Sequence, residues 1–471
     1  MEFSHQDDNN NLSLTKFESM LKTNNVLFFD SNEFENIINH YLEIGKIALS
    51  KKAIKLGLEQ HPTSLNLKLF QIEIHVLENK LEAAEKLLDA LYTIEPANEE
   101  VYIQKANILS KKDEHQKAIN TLKIALELSH DHNEDSSDLY ALIGMEYLFL
   151  DKFENAKEYF IKCLEINLED YASLYNITYC FDYLDQNEEA ISFLNQYLDR
   201  NPYCEVAWHQ LGKQYFTIKD YTKALAAFDF AIISDDSFVG AYLEKGKVLE
   251  KQKNYIEAIE NYKITLALDE PSSFALLRIG HCYEKLNKSD LAVQYFYKTV
   301  HEDPLLDKGW IAITKFYNKK RNYHKALHYI NKAINIDCDN VIYWKLYAQI
   351  NHRLNLLEEA ERGYKKTLEL GNFELPTWLS RGDILINLGE FEAAVYNLIQ
   401  AAEFYPETPE IEFRLAGLYF SLHQSEKAHY HLKNAMLLDK EFYFILEELF
   451  PKILNKPTIK KIISDSKKSS H

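Results

Sequence analysis

Apolar residues recur along this chain in two alternating helical registers. Trp208, Leu211, Gly212 and Tyr215 stand at i, i+3, i+4 and i+7, one face of a helix. Ala224, Phe228 and Ala231 stand at i, i+4 and i+7, one face of a second. The two together predict a helical hairpin. Stepping forward 34 residues at a time from Ala224 meets alanine at Ala258, Ala292, Ala326, Ala360, Ala394 and Ala428. Stepping back meets Ala190 and Ala156, and a single 38-residue step then leads to Ala118, with Ala84 another 34 before it. The hairpin is therefore a repeat.

Other columns keep the same register. Sixteen residues before the alanines stand Tyr140, Leu174, Trp208, Tyr242, Leu276, Trp310, Trp344 and Trp378, which takes in all four tryptophans. Four residues further on the side chain is small, as at Gly144, Thr178, Gly212, Gly246, Gly280, Thr314, Ala348, Gly382 and Ala416. Small side chains at that spacing predict a close crossing of two helices. Pro62, Pro96, Pro202, Pro304 and Pro406 follow second helices, where the missing N–H stops helix growth. A hairpin of this size cannot bury its apolar face alone, and stacked neighbours close a continuous core.

The pattern W-x2-L-G-x2-Y, then A-x3-F-x2-A, on a 34-residue period resembles the tetratricopeptide repeat family. The resemblance implies an all-α fold, a right-handed superhelical solenoid of about twelve helix-turn-helix repeats with helical caps. The units run 31–64, 65–98 and 99–132, then from 137–170 in equal steps to 409–442. Residues 133–136, inside HDHNEDSSD, are expected to be a polar loop between units three and four. Residues 1–30 are read as a tail, disordered over 1–10, with a short capping helix carrying Leu14, Phe17 and Leu21. Residues 443–471 are read as a capping helix, with Leu446, Leu449 and Phe450 in core columns, and a polar tail SDSKKSSH. The first unit departs most, with Ser50 in the alanine column and Ile38 in the small one.

Composition agrees with helix. Only 13 glycines and 10 prolines occur in 471 residues, too few turn formers to punctuate a sheet-rich fold. The net charge of −19 argues against a general nucleic-acid or anionic-membrane binder. That charge is uneven: residues 1–204 hold 18 Lys/Arg against 36 Asp/Glu, and residues 205–373 hold 24 against 22. The five cysteines are far apart, the usage of a reducing compartment. With no secretory pattern at the N-terminus, and only the short, Glu146-interrupted stretch 141–150 as an apolar candidate, the expectation is a cytoplasmic protein without membrane insertion.

Catalytic patterns do not emerge. Glycines occur singly in the small column, with no phosphate-cradling loop, no Gly-x-Ser-x-Gly and no His-Glu-x-x-His. His324 and His328 form an i, i+4 pair without a third ligand nearby in sequence, and His423, His429 and His431 are read as ordinary helix-face residues. The expectation is a non-enzyme with no cofactor, no metal and no small-molecule substrate.

The family resemblance implies a concave groove lined by the first helix of each repeat. With the tryptophan column counted as four, the groove columns are two, five, nine, twelve and thirteen. Column nine reads Met145, Tyr179, Lys213, Lys247, His281, Lys315, Gln349, Asp383. Column thirteen reads Tyr183, Thr217, Lys251, Lys285, Lys319, Arg353, Asn387. Lys308 and Lys345 add charge from columns two and five, and Tyr175 and Tyr179 begin an aromatic stripe. The expected partner-binding residues are Tyr175, Tyr179, Lys213, Lys247, His281, Lys315 and Lys345. The expected partner is a protein or peptide segment carrying acidic residues. Against this, the helix dipole favours lysine in column thirteen without any ligand, and Glu250 and Glu284 in column twelve offset part of the ladder. A chaperone-carboxylate clamp is not expected, because its nearest window, Lys345, Gln349, Ser380, Glu410 and Arg414, has glutamate where lysine is needed. Two alternatives to an adaptor remain: a subunit of an assembly held through the apolar tail Phe442–Phe450, and an RNA binder stacking bases on the tyrosines.

Overall fold

The computed structural model describes residues 13–22, 27–129, 133–268 and 272–454, without the side chains of 133–135. The expected polar tails at 1–10 and 464–471 lie outside the described residues. The described residues are helical nearly throughout, and the chain divides into two compact units, Met1–Phe238 and Val239–His471. After α1 (13–22), helices pair off as successive hairpins, with even-numbered first helices and odd-numbered second ones. In the first unit the first helices are α2 (Ser31–Glu43), α4 (Leu65–Leu77), α6 (Glu99–Lys111), α8 (Asn133–Phe149), α10 (Tyr171–Tyr183) and α12 (Glu205–Thr217). In the second they are α14 (Val239–Lys251), α16 (Ser273–Lys285), α18 (Asp307–Lys319), α20 (Val341–Arg353), α22 (Leu375–Leu388) and α24 (Pro409–Ser421).

Each hairpin turns on one left-handed residue. Gly45, Asn79, Asp185, Lys253, Arg321 and Gly389, among others, have φ between +55° and +78° just after a first helix. The reversed backbone lets the next N–H groups return to carbonyls of the helix just ended, as when Lys80 N–H donates to His75 C=O at 2.8 Å.

Inside the hairpin the small column meets an aromatic ring sixteen residues on. A methyl group at Gly212 would lie 2.5 Å from Phe228, at Gly246 2.6 Å from Tyr262, and at Gly280 2.3 Å from Phe296. All three rings are buried, so the glycine is what lets a ring lie between helices at native density. In three hairpins the tryptophan column ties the first helix to the preceding turn: Trp208 Nε1 donates to Pro202 C=O at 2.8 Å, Trp310 Nε1 to Pro304 C=O at 2.9 Å, and Trp344 Nε1 to Cys338 C=O at 2.7 Å.

One boundary differs from the sequence expectation. Residues 133–136 are not a loop; they are the first turn of α8, which is 17 residues long where its counterparts have 13 or 14. Asn, Glu and Asp are residue types favoured at a helix N-terminus, and four added residues make about one turn of helix.

Both ends are covered by helix. Phe17 of α1 is fully buried against Phe29, Phe34 and Tyr41, at centroid distances of 6.1, 6.5 and 6.1 Å. At the other end a 3-10 turn (Lys440–Tyr443) and α26 (Phe444–Leu449) bury Ile445, Leu446 and Phe450. The Phe450 ring lies where a methyl group on Gly417 of α24 would be, 2.3 Å away. The apolar tail is thus packed on its own chain, and of its apolar residues only Phe444 stays substantially exposed. As an open docking face for an assembly, Phe442–Phe450 is overturned by this packing.

Candidate partner-binding surface

The first helices carry two different surfaces, one in each unit. In Met1–Phe238, α8 and α10 expose Met145, Phe149, Tyr171, Tyr175, Tyr179 and Tyr183, with Tyr179 at 53% and Tyr183 at 60%. Tyr183 stacks at 3.8 Å on Phe153, the first residue of α9 (Phe153–Ile166), and Tyr179 meets the same ring edge-on at 6.2 Å. These tyrosines therefore serve in packing between neighbouring hairpins while keeping one face open. Lys213 on α12 is half-buried and donates to Gln210 at 3.2 Å. It belongs to this unit, and Lys247, Lys315 and Lys345 belong to the second.

In Val239–His471, α16, α18 and α20 line a groove of about 420 Å3. Its apolar floor comes from Phe274, Leu277, Ile311 and Ile342, and its charge from Arg278, His281, Lys308 and Lys315. Lys247 adjoins it, with Nζ 5.3 Å from the centre of the Phe274 ring, a cation–π contact. Of the expected residues, His281 and Lys315 are brought together here and Lys247 beside them. Lys345 is outside the lining; it pairs with Glu374 at 2.5 Å. That lysine also holds the Glu374 carboxyl below its ordinary range.

The cations are not equivalent. Lys247 is paired with Glu244 at 2.6 Å, and Arg278 is clasped by Glu250. His281 faces Glu284 at 3.5 Å; burial holds its imidazole below the ordinary value, against the pull of that carboxylate. Lys308 and Lys315, both exposed, form no ion pair among the described residues, so the groove's uncompensated charge is theirs. Column thirteen takes another place: Lys251, Lys285, Lys319 and Arg353 are exposed at the last residue of their helices, where the dipole favours cations.

Among the lining residues that the sequence reading missed are Phe274 and Arg278. Phe274 lies in column two, a groove column, and a large aromatic there is a readable signal. Arg278 lies in column six, between the core and groove stripes, and has no such signal.

Profiles described as tetratricopeptide repeat match residues 99–132, 137–170 and 275–300, residues 209–273, and residues 172–202. The chain is similar to anaphase-promoting complex subunit 3 of Schizosaccharomyces pombe, 24% identical over 201 residues, 43% of this chain and 30% of that protein. It is also similar to the BBSome complex member BBS4 of Bos taurus, 23% identical over 361 residues, 74% of this chain and 68% of that protein. Among solved structures, the C-terminal part of a TPR repeat-containing protein from Cytophaga hutchinsonii matches 50% of this chain and 99% of its own, at 17% identity and a TM-score of 0.44. No helix among the described residues is long and apolar enough to cross a membrane.

Proposed function

The chain is a tetratricopeptide repeat protein, and from that premise we propose that it is a scaffold or adaptor whose Val239–His471 unit takes an acidic segment of a partner protein in the groove of α16, α18 and α20. The observation that carries this reading is the pair Lys308 and Lys315, two lysines without ion-pair partners among the described residues, beside an apolar floor. Such a floor receives aliphatic or aromatic side chains, and the lysines select for carboxylates between them. Lys247 and Arg278 have counter-ions already and shape the walls. Two relatives are named as members of protein complexes, which favours an adaptor working within an assembly.

The test is fluorescence anisotropy on the full chain with a labelled peptide of alternating Glu and Leu/Phe, beside the same peptide with Gln for Glu. The acidic peptide binds the wild type, and Lys308→Glu with Lys315→Glu weakens it at least about tenfold, the scale of two desolvated charge contacts. Equal binding of the acidic and Gln peptides, or no loss in the double variant, sinks the reading. Displacement of the peptide by a single-stranded RNA oligonucleotide, with a steep salt dependence, would favour base stacking instead.

A further inference from the structure

The Met1–Phe238 unit carries a second lined pocket, of opposite polarity. Glu35 on α2, Glu73 on α4 and Glu100 on α6 line a pocket of about 270 Å3, with Leu69 and Phe70 beside them. These carboxylates occupy groove columns five, nine and two of successive hairpins. None forms an ion pair among the described residues. Their contacts are neutral donors: Ser31 Oγ at 3.2 Å and Asn66 Nδ2 at 3.0 Å to Glu35, and Gln104 Nε2 at 2.9 Å to Glu100.

Gln104, which also lines the pocket, supplies an independent observation. It is only 5% exposed, and its Oε1 has no hydrogen-bond partner among the described residues. A buried acceptor without a donor is costly, so it marks a place where a donor is wanted. The one buried pocket atom without a partner among the described residues is thus an acceptor. The whole unit repeats the sign, with 21 Lys/Arg against 41 Asp/Glu in residues 1–238.

We infer that this pocket binds the guanidinium of an arginine presented by a basic segment of a partner protein. Five N–H donors in a planar fork suit acceptors spread over three helices, where an ammonium is a single compact point. Phe70 and Leu69 offer apolar surface to the guanidinium plane and the methylene stem. A metal ion fits less well, since among the described residues no three His, Cys, Asp or Glu side chains converge closely enough to hold one. Burial, with the charge of Glu100, pushes the Glu73 carboxyl above its ordinary value, so the free pocket holds repulsion that a cation relieves. The site is independent of the lysine groove, and each can fail without the other.

The experiment titrates the full chain with a fluorescein-labelled Gly/Ser peptide bearing three arginines. Its counterparts are the same peptide with lysines and the chain's own segment 455–471, which carries lysine but no arginine. Glu73→Gln and Gln104→Met each weaken the arginine peptide about fivefold or more, while Glu82→Gln, an exposed carboxylate on a second helix, changes it less than about twofold. Glu73→Gln also raises the melting temperature of the free chain, because it removes an unpaired charge. That variant keeps the test open even where Gln104→Met is poorly folded. Equal losses from Glu73→Gln and Glu82→Gln would mean general acidity and overturn the pocket. So would equal binding of the lysine peptide or of segment 455–471, or a lowered melting temperature for Glu73→Gln.

Discussion

Arg278 clasps Glu250 through two donors, with Nε 2.8 Å from Oε1 and Nη2 2.7 Å from Oε2, and the Tyr262 hydroxyl donates to the same Oε1 at 2.7 Å. The three residues come from α14, from α15 (Tyr255–Leu268) and from α16, so one carboxylate joins a hairpin to its successor. Tyr262 is fully buried, and burial with Glu250 beside it holds the phenol well above the usual tyrosine range. Arg278→Met leaves Glu250 mostly buried without its cation. The expected loss is about 2 kcal/mol, concentrated locally because hairpins contact only their neighbours. Amide exchange should quicken in α14–α16 and stay unchanged in α2–α6; uniform change along the chain would refute this.

The left-handed turn residues invite a stability test. Lys253 at φ +65° and Arg321 at +57° bear side chains that disfavour this region, whereas Gly45 and Gly389 do not. Lys253→Gly is expected to stabilise by up to about 1 kcal/mol, and Asn355→Ala to destabilise by about as much. Urea melts read both, and the opposite signs are the check.

His281 gives the lysine groove a pH dependence. Its folded-state pKa is lowered, so its contribution to stability is present above the ordinary value of about 6.5 and is lost as pH falls through the folded value. Glu284, Arg278, Glu250, Lys308, Lys315 and Tyr343 share its surroundings. An acidic peptide favours the protonated ring, so its affinity should rise between pH 7 and 5.5, and His281→Gln should flatten that rise. A profile identical in the variant would remove His281 from the site.

Thiol chemistry distinguishes one cysteine. Cys163, Cys180, Cys204 and Cys282 are buried, and Cys338 is exposed. Burial pushes the Cys180 thiol up to about 11 and Cys282 to about 12, which suppresses the reactive thiolate. Native protein should take up one maleimide per chain rapidly, and Cys338→Ser none. Rapid labelling of further thiols would contradict the packing around them.

The repeat was legible because its signals are local: a 34-residue period, a glycine sixteen residues before its aromatic, and a tryptophan six residues after the carbonyl it binds. Residues 133–136 were misread because an insertion of about one helical turn leaves the apolar stripe on the same face whether it is loop or helix. In the lysine groove, columns brought out His281 and Lys315, but pairing was hidden. Glu250 lay in column twelve near Lys247 and Lys251, yet its partner is Arg278, 28 residues away. The carboxylates of the other pocket sat in groove columns too, in early repeats where the basic ladder had not begun. An orphaned amide oxygen such as that of Gln104 has no trace in sequence at all.

A stack of like hairpins has no inherent length, since each bare end is a template for the next unit. Phe450, lying against Gly417, acts as a chain terminator in the polymer sense: it fills the last growth site with the molecule's own aromatic ring. Removing residues 440–471 would leave a reactive end, and such chains should associate end to end in proportion to their concentration. That ring, seated on Gly417, is then what keeps this face of α24 from pairing with a second copy.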